Sequence, residues 1–329
     1  MKTNRIRQTG SVSHRGEAED ISGGYYIGMD GGGTSTTILV WDGEQELFRT
    51  TAGGLNYNSF GPELVQRTLR QVASDLTRAG FAPKDCLAIG IGCAGVSNPA
   101  VPAYMREKLA EAGYGCPVLV VGDEEAAMAG GLRKQDGMLL ISGTGSVCLG
   151  QAGQGTKKYR TGGYGHLIDD EGSAYAMGRD ILSAVIRAED GRDVPTVLRQ
   201  AVFERLGISS IPEMIGYVYD RNHTKKEIAA LASLLSLPQV KEDAAAKRIM
   251  DKAAGQLKEL VATVARRIRE DNGAGELTLV LHGSVLKKNE RIREQLKAGL
   301  AQDCPAVRLE EAANDAARGA AELAGDLCR

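Results

Sequence analysis

The chain has 329 residues, a formal net charge of −2 at pH 7 and a hydrophobic share of 43%. This length allows two domains or one large one, and the composition is that of an ordinary soluble globular protein. The near-neutral charge and the lack of a long basic block argue against a nucleic-acid partner. No apolar run approaches the roughly 20 residues that span a bilayer, so no membrane partner is expected.

The six cysteines are scattered and form no CxxC pair, which predicts buried free thiols in a reducing cytosol. They are Cys86, Cys93, Cys116, Cys148, Cys304 and Cys328. Residues 1–24 are polar and contain no apolar segment, so they resemble neither a signal peptide nor a membrane anchor. We expect them to be a disordered leader, with the fold starting near Tyr25. A cytoplasmic location follows.

Short apolar strands alternate with amphipathic helices along the chain, which is the pattern of an α/β protein. The predicted strands are 25–30, 36–42, 86–92, 117–122, 138–142 and 277–282. The predicted helices are 62–79, 103–112, 124–131, 173–188, 195–206, 224–236, 243–270, 288–302 and 312–325. The longest of these carries one apolar stripe from Ile249 to Ile268, at steps of three and four residues.

Two stretches of the chain share one pattern. Ile27–Trp41 reads IGMDGGGTSTTILVW, and Leu139–Gly150 reads LLISGTGSVCLG. Each is a strand, a turn of glycines and hydroxyls, and a second strand. A weak internal repeat of this kind predicts two similar lobes that face each other, although two hairpins can also resemble one another by chance.

The first hairpin suits a phosphate group. Gly31, Gly32 and Gly33 leave backbone N–H groups uncovered by Cβ atoms, and such concavities bind anions. Thr34 adds a hydroxyl donor. Asp30 cannot approach a phosphate favourably without a cation between them, which suggests Mg²⁺ bound through water. The alternative is a hairpin whose glycines serve turn geometry alone.

The turn SGTGS repeats this chemistry at Thr144 and Gly145, so two opposed hairpins would hold one triphosphate between them. A third piece, LTLVLHGSVLKKN, is a strand that opens at Gly283 and Ser284 into a helix. This junction of small residues would admit a flat nucleoside. Strand–glycine–helix turns are common, so the third piece has little weight alone.

Two other nucleotide-binding motifs use glycine-rich turns. The chain contains no G-x-x-x-x-G-K-[ST] sequence, which excludes a P-loop. Gly90, Gly92 and Gly95 satisfy G-x-G-x-x-G after a strand, and a second strand then ends in an acid, as in a dinucleotide site. However, Pro99 and Pro102 delay the helix whose N-terminus would receive the pyrophosphate. A dehydrogenase that uses NAD is therefore the less favoured alternative.

The three nucleotide elements, in this order, resemble the phosphate-1, phosphate-2 and adenosine motifs of the actin, hexokinase and Hsp70 superfamily. The segment GGYGHLIDDEGSAYAMGRD at Gly162–Asp180 resembles GGWGH..GDEGSA of the N-acetylglucosamine kinase branch of the BadF/BadG/BcrA/BcrD-type ATPase family. The resemblance extends from about Tyr25 to Gly325. Tyr164 stands where the family usually has Trp, and Asp169 where it usually has Gly. Both departures bear on the identity of the sugar.

The resemblance implies an α/β fold with two ribonuclease-H-like lobes, of the actin/hexokinase type, around a central ATP-binding cleft. We expect 25–123 to form the N-terminal lobe and 124–311 the C-terminal lobe, with the helix 312–325 packing back on the first. ATP and Mg²⁺ would lie in the cleft, which closes on substrate. The iron–sulfur cysteines of the activator branch and the zinc motif of ROK sugar kinases are not evident. Both absences favour a small-molecule kinase.

Asp123 is the predicted catalytic base, because it ends a strand, precedes a helix and matches the family aspartate that accepts the sugar hydroxyl proton. Phosphoryl transfer needs positioned charge more than covalent chemistry, and a carboxylate aims a hydroxyl well. The alternative is a helix N-cap. Asn56 resembles the family's sugar-hydroxyl ligand, since an amide both donates and accepts. Its alternative is a turn residue beside two glycines.

Five further residues match sugar-contact positions of the family. Ser146, Gly162, Gly163 and Tyr164 match the contacts of the kinase branch, and the Tyr164 ring would stack on a pyranose face. Asp170 matches the acid of GDEGSA, which is expected to bind sugar hydroxyls or support the metal site. The alternative for Asp170 is a charge that favours the N-terminus of the following helix.

On the nucleotide side, the resemblance assigns Thr34 and Thr144 to the phosphates and Asp30 to hydrated Mg²⁺. Ala229 aligns with a position that lines the adenine pocket, although plain helix packing also explains a small residue there. Gly283 lies on the nucleoside side of the same site.

The predicted activity is that of an ATP-dependent kinase that phosphorylates the primary 6-hydroxyl of an amino sugar, N-acetylglucosamine first and glucosamine next. The alternative is an ATPase that acts as a conformational activator of a protein partner. The expected partner is therefore a small-molecule amino sugar. A homodimer is compatible with the sequence, which does not fix the oligomeric state.

Overall fold

Two five-stranded mixed sheets organise the computed structural model, which describes residues 23–133, 135–153, 155–273 and 275–328, without the side chains of 58–60. Most of the predicted leader, residues 1–22, lies outside the described residues. The strands are β1 (Tyr25–Gly31), β2 (Ser35–Trp41), β3 (Glu46–Gly53), β4 (Cys86–Cys93), β5 (Val118–Val121), β6 (Gly137–Ser142), β7 (Ser146–Ala152), β8 (Lys157–Gly162), β9 (Leu277–His282) and β10 (Val307–Glu310).

Helices cover the sheets and connect them. They are α1 (Tyr57–Arg78), α2 (Ala100–Glu111), α3 (Asp123–Leu132), α4 (Ala174–Glu189), α5 (Leu198–Leu206), α6 (Ile211–Tyr219), α7 (Lys225–Ala230), α8 (Ala244–Asn272), α9 (Ser284–Lys288), α10 (Glu290–Asp303) and α11 (Ala316–Gly325). Helix α1 is kinked at Gly61, where φ is +76°, so its continuous part starts at Pro62, as predicted. A 3₁₀ turn, Asp326–Cys328, follows α11.

The two sheets have the same topology. The first runs β3-β2-β1-β4-β5 and the second β8-β7-β6-β9-β10. In each sheet, the three strands that come first in chain order form two antiparallel pairs. The two later strands extend the sheet by parallel pairing. The hairpins β1–β2 and β6–β7 therefore occupy equivalent places. This confirms the predicted two-lobe α/β fold and explains the internal repeat.

Strand β1 is buried on both faces because α1 and α2 cover one side and α11 the other. Tyr25, Ile27 and Met29 belong to the N-terminal hydrophobic core. Gly28 faces α11, and a Cβ at this position would collide with the carbonyl of Ala317. The missing side chain lets α11 lie directly on the strand.

Helices α3 and α11 follow the last strands of the first and second sheets and pack on each other. Helix α11 leaves the second sheet but packs on β1 and β4 of the first, whereas α3 leaves the first sheet and also packs on β6 and β9 of the second. The two helices meet at Gly130 and Gly319, where no room exists for a Cβ on Gly319. The two sheets are therefore joined by one close helix pair.

The C-terminal core lies mainly between the second sheet and α8. The predicted apolar stripe of this helix, from Ile249 to Ile268, is buried and faces β7 and β8, which confirms the sequence pattern. Asp243 caps the helix by accepting hydrogen bonds from the N–H groups of Ala245 and Ala246. Asp243, which the prediction made the first residue of the helix, is therefore its N-cap.

Some elements differ from the prediction. The sequence pattern did not predict β3, β8, β10 or α6. Strands β3 and β8 are edge strands with several exposed charged side chains, so neither shows a clear apolar alternation. The predicted helix 224–236 divides into α7 and a 3₁₀ turn at Leu231–Ser236. The predicted helix 288–302 begins after Asn289, whose side chain accepts a hydrogen bond from Ile292.

Candidate active site

The turn between β1 and β2 is closed by main-chain hydrogen bonds. The N–H of Gly32 donates to the carbonyl of Ser35 at 3.0 Å, and the N–H of Leu55 donates to the carbonyl of Gly32 at 3.3 Å. This second bond holds the segment after β3 against the turn, and Asn56 is the next residue of that segment. Thr34 is exposed at the tip of the turn. The structure therefore brings Asn56 next to the first predicted phosphate loop.

The glycines of the two hairpins differ in what the protein requires of them. A Cβ at Gly31 would approach Leu55 and Cys93 at 3.0 and 3.1 Å, so packing explains that glycine. A Cβ at Gly33 or Gly143 would meet no heavy atom within 4 Å, and neither residue has a left-handed φ. Neither packing nor backbone conformation accounts for these two glycines. They leave open main chain in the equivalent hairpin turns of the two lobes.

The second hairpin turn is fastened to the start of α4. Gly143 donates its N–H to the carbonyl of Gly145 at 2.9 Å, and its own carbonyl accepts from the N–H of Ala174 at 2.8 Å. The N–H of Tyr175 approaches the carbonyl of Thr144 at 3.4 Å. The backbone of this turn is therefore held from behind, while the side chain of Thr144 remains partly exposed.

Asp170 and Ser146 lie behind this turn. The Asp170 side chain is 5% exposed, its φ is +63°, and its Oδ1 accepts from the N–H of Ser146 at 3.4 Å. A Cβ at Gly145 would approach the Asp170 carboxylate at 2.9 Å. The Ser146 hydroxyl donates to the carbonyl of Glu171 at 2.7 Å. Both side chains support the turn here, and their predicted sugar contacts stay predictions.

Asp123 lies at the carboxyl edge of the first sheet. Adjacent strands pair Asp30 with Gly92 and Gly92 with Val121, and Asp123 follows Val121 by two residues. The N-cap of α3 is Gly122, and Asp123 makes no side-chain capping bond. The capping interpretation is therefore wrong for this carboxylate. Its side chain is exposed at this edge.

Asp30 lies where the carboxyl edges of the two sheets meet. Burial raises the pKa of Asp30, the nearby Asp315 carboxylate raises it further, and the ammonium of Lys287 opposes both. Lys287 lies in α9, the helix that follows β9 of the second sheet. Asp30 is therefore within electrostatic reach of the other lobe. A divalent cation at this point would relieve the repulsion between the two acids, which fits a hydrated Mg²⁺.

The sequence did not single out Glu124 or Arg160, which connect the base to the predicted sugar loop. The hydrogen bond between Glu124 and Asp123, followed by burial, raises the pKa of Glu124, and Arg160 opposes the shift. Arg160 Nη1 lies 3.8 Å from Glu124 Oε1. Arg160 also donates to the carbonyls of Gly162 at 3.1 Å and Gly163 at 2.7 Å. No spacing in the sequence signals the link to Glu124, because that residue lies in α3, which follows the first sheet, whereas Arg160 lies in β8 of the second.

The predicted sugar loop presents an open aromatic face. Gly162 and Gly163 have φ of +80° and +77°. The following Tyr164 is 66% exposed, and the Arg160 guanidinium lies 5.6 Å from the centre of its ring. Asp169, one of the departures from the family pattern, accepts from the N–H of Tyr164 at 3.0 Å. The departure therefore gives the loop an internal hydrogen bond.

The predicted nucleoside residues lie in the second lobe. Gly283 is the N-cap of α9, with φ +99°, and Ser284 is the exposed first residue of that helix. Ala229 lies in α7 and is buried in the C-terminal core. Helix α7 approaches α4 closely because Gly178 carries no side chain under the carbonyl of Ile228. Helix packing thus accounts for Ala229 here, and its role at adenine stays a prediction.

The dinucleotide interpretation of G-x-G-x-x-G is wrong. Gly90 and Gly92 lie inside β4 rather than in a loop. A Cβ at Gly90 would collide with the carbonyl of Ala320 in α11, and one at Gly92 would approach the Ala126 Cβ of α3 at 2.5 Å. These two glycines let the connecting helices pack on the strand, so they are not part of a pyrophosphate site.

Within the described residues, no group of three or more His, Cys, Asp or Glu side chains is arranged to hold a metal ion. None of the described helices is both long and apolar enough to cross a membrane.

The model of the BadF/BadG/BcrA/BcrD ATPase family matches residues 27–324. An N-acetylmuramic acid/N-acetylglucosamine kinase of Clostridium acetobutylicum is 33% identical over 306 residues, covering 92% of this chain and 99% of the relative. An N-acetyl-D-glucosamine kinase of Dictyostelium discoideum is 29% identical, covering 91% and 97%. A solved structure of a candidate N-acetylglucosamine kinase from Chromobacterium violaceum shares the fold, with a TM-score of 0.71 and 24% identity over 91% of this chain and 98% of its own.

Proposed function

Since this chain belongs to the BadF/BadG/BcrA/BcrD ATPase family, we propose that it is an ATP-dependent kinase that phosphorylates the primary 6-hydroxyl of an amino sugar. Two curated relatives that align along nearly their whole length are kinases of N-acetylglucosamine, and one of them also carries N-acetylmuramic acid in its name. The substrate proposed first is N-acetylglucosamine, and glucosamine is the second.

One observation carries the proposal: the two equivalent hairpins each present a glycine that the fold itself does not require. Gly33 and Gly143 have open space where a Cβ would stand. A phosphate chain can therefore approach the main chain of both lobes, with hydroxyl donors from Thr34 and Thr144 at its sides. Asp30 would hold Mg²⁺ through its water shell, and the ion would supply neutralising charge to the phosphates.

Asp123 acts as the base. Its exposed carboxylate accepts the proton of the sugar 6-hydroxyl as that oxygen attacks the γ-phosphorus of ATP, and ADP leaves. Asn56 binds sugar hydroxyls from the side of the first lobe. Gly162, Gly163 and Tyr164 do so from the second, with the phenol ring of Tyr164 against the pyranose.

Asp170 supports the second hairpin turn and orients Ser146 beside the sugar. Gly145 keeps this turn clear of the Asp170 carboxylate. The nucleoside lies between α7 and the start of α9, near Ala229 and Ser284. We propose a cytoplasmic location and a homodimeric assembly. Light scattering of the purified protein measures the oligomeric state.

The proposal is tested by an ADP-release assay with ATP, Mg²⁺ and a panel of hexoses and amino sugars, with phosphorus NMR to locate the phosphate on the product. We expect turnover with N-acetylglucosamine that Asp123→Asn lowers by about 10²-fold or more. Glu125→Gln is the matched control, because this exposed acid lies on the same helix turn. ADP release that is indifferent to every sugar would favour the protein-activator alternative.

A further inference from the structure

Three of the six cysteines meet at the end of the first sheet that lies opposite the hairpin turns. Cys86 opens β4, and Cys116 lies two residues before β5. The strands are in register here, because the N–H of Ile89 donates to the carbonyl of Pro117 at 3.0 Å. Cys328, in the C-terminal 3₁₀ turn, donates its thiol to the carbonyl of Leu87 at 3.5 Å. Helix α11 thus brings a distant part of the chain to the same place.

The three sulfurs differ in contact and exposure. The side chains of Cys86 and Cys116 are in hydrogen-bonding contact, and Cys328 is in electrostatic reach of Cys86. The Cys86 thiol also donates to the carbonyl of Ala88 at 3.6 Å. Cys86 is 5% exposed, Cys116 is partly exposed and Cys328 is exposed. A reactive thiol with solvent access therefore touches a buried thiol that can resolve it.

The pair is chemically polarised. The hydrogen bond from Cys86 stabilises the thiolate of Cys116 and lowers its pKa, whereas the same contact and burial raise the pKa of Cys86. The titratable neighbours that face Cys86 are the phenols of Tyr25 and Tyr114, together with Cys328. Susceptible thiols combine a lowered pKa, solvent access and an adjacent resolving cysteine.

The other thiols lack this combination. Cys93, Cys148 and Cys304 are buried. Burial raises the pKa of Cys93 to about 12, and burial also raises that of Cys148. None of them is a competitor for a water-soluble oxidant while the protein is folded.

From this geometry we propose that Cys116 and Cys86 form a hydroperoxide-reactive dithiol site, with Cys116 as the attacking thiol and Cys86 as the resolving thiol. This site lies outside the proposed kinase centre, at the amino ends of the strands whose carboxyl ends carry Gly92 and Asp123. Its substrate class is a small hydroperoxide such as hydrogen peroxide.

The chemistry balances in two steps. The Cys116 thiolate attacks one peroxide oxygen, an S–O bond forms, the O–O bond breaks, and the released hydroxide takes a proton to become water. The Cys86 sulfur then attacks the sulfenic sulfur of Cys116, the S–S bond forms, and the S–OH oxygen leaves as water with the Cys86 proton. Two thiols lose two electrons in total, and one peroxide is reduced to two waters.

The test treats the full-length protein with one equivalent of hydrogen peroxide, blocks free thiols with iodoacetamide, and maps disulfides by non-reducing peptide mass spectrometry. The expected product is a Cys86–Cys116 bond. We also expect Cys116→Ser to slow peroxide consumption at least about tenfold, as the loss of a thiolate nucleophile requires. Cys304→Ala, which removes a buried thiol outside the cluster, keeps the wild-type rate.

Cys328→Ser tests whether the third thiol is needed. We expect this variant to form the Cys86–Cys116 bond and to consume peroxide at the wild-type rate. A bond to Cys328 in the wild type, a Cys116 that stays unoxidised, or a Cys116 that proceeds to sulfinic acid without a bond would overturn the proposal. The map of the wild-type protein decides the question without relying on the folding of any variant. It is also independent of sugar turnover.

Discussion

At the scale of single residues, Gly33 and Gly143 separate what the fold requires from what a ligand requires. Most of the glycines that the structure describes either have a left-handed φ or would clash through a Cβ, but these two do neither. A glycine without such a reason has an entropic cost in folding and no structural return. Other open glycines such as Gly115 and Gly255 lie elsewhere, whereas these two lie in the hairpin turns of both lobes, where a ligand can occupy the space that a side chain would fill.

Replacing either of these glycines with alanine is therefore expected to preserve the fold and to weaken the binding of the nucleotide. Gly33→Ala and Gly143→Ala should melt at or slightly above the wild-type temperature, because alanine restricts the unfolded chain. The KM for ATP should rise by about tenfold, since a methyl group displaces the phosphate by more than an ångström from its N–H donors. Gly115→Ala, at another open glycine, is the control. Equal ATP KM values in all four proteins would refute the phosphate assignment.

Asp30 provides a prediction with a pH dependence. Burial and Asp315 raise the pKa of Asp30 above its ordinary value of 3.8, so the folded protein holds this proton more tightly than the unfolded chain does. The free energies of unfolding of wild type and Asp30→Asn are then similar below the unfolded pKa. As pH rises through the folded pKa, the ionised carboxylate destabilises the wild type.

We therefore expect Asp30→Asn to melt above wild type near about pH 7 in the absence of nucleotide, with a difference that shrinks towards about pH 4. The same variant should need on the order of tenfold more Mg²⁺ for half-maximal turnover, because it loses a partner of the hydrated metal. Calorimetry across this pH range and Mg²⁺ titration measure the two effects. Glu63→Gln, at an exposed acid on α1, should change neither. A variant no more stable than wild type at neutral pH would contradict the argument.

At the scale of elements, the sequence predicts those whose own pattern is sufficient. The apolar stripe of α8 and the strand–glycine–strand hairpins can be predicted because their own residues carry the apolar periodicity and the turn glycines. The edge strands β3 and β8 were not predicted, because their neighbours rather than their side chains define them. The link from Arg160 to Glu124 was missed for a similar reason, since Arg160 lies in β8 and Glu124 in α3.

Arg160 should position the sugar loop without touching the nucleotide. It donates to two loop carbonyls, at 3.1 and 2.7 Å, and each bond contributes about 1 kcal/mol. Arg160→Met should therefore raise the KM for the sugar by about tenfold or more and leave the KM for ATP unchanged. Arg266→Met removes an exposed arginine whose side chain pairs with Glu270, and serves as the control. A parallel rise in both KM values would show a general loss of structure instead.

At the scale of the whole molecule, the repeated sheet explains why one site has two similar halves. Hairpins at equivalent places in two copies of a topology present equivalent main chain, and a connecting helix pair sets their distance. The repeat could be read from the sequence because both turns keep their glycines. The packing of α11 on the first sheet carries no local signal, since Ala and Gly on a helix are compatible with many partners.

The close crossing of α3 and α11 makes a final prediction about how the lobes hold together. A Cβ at Gly319 would collide with the carbonyl of Ala126 and the N–H of Gly130, which are backbone atoms that cannot yield by rotating a side chain. Gly319→Ala should therefore destabilise the protein by about 1–3 kcal/mol, although alanine is the better helix former. Gly255→Ala, at an open position of α8, should instead stabilise it by up to about 1 kcal/mol. Denaturant unfolding measures both, and equal shifts in the two variants would mean that the crossing is loose. The opposite signs follow because backbone atoms lie within reach of the added methyl group at Gly319 and none do at Gly255.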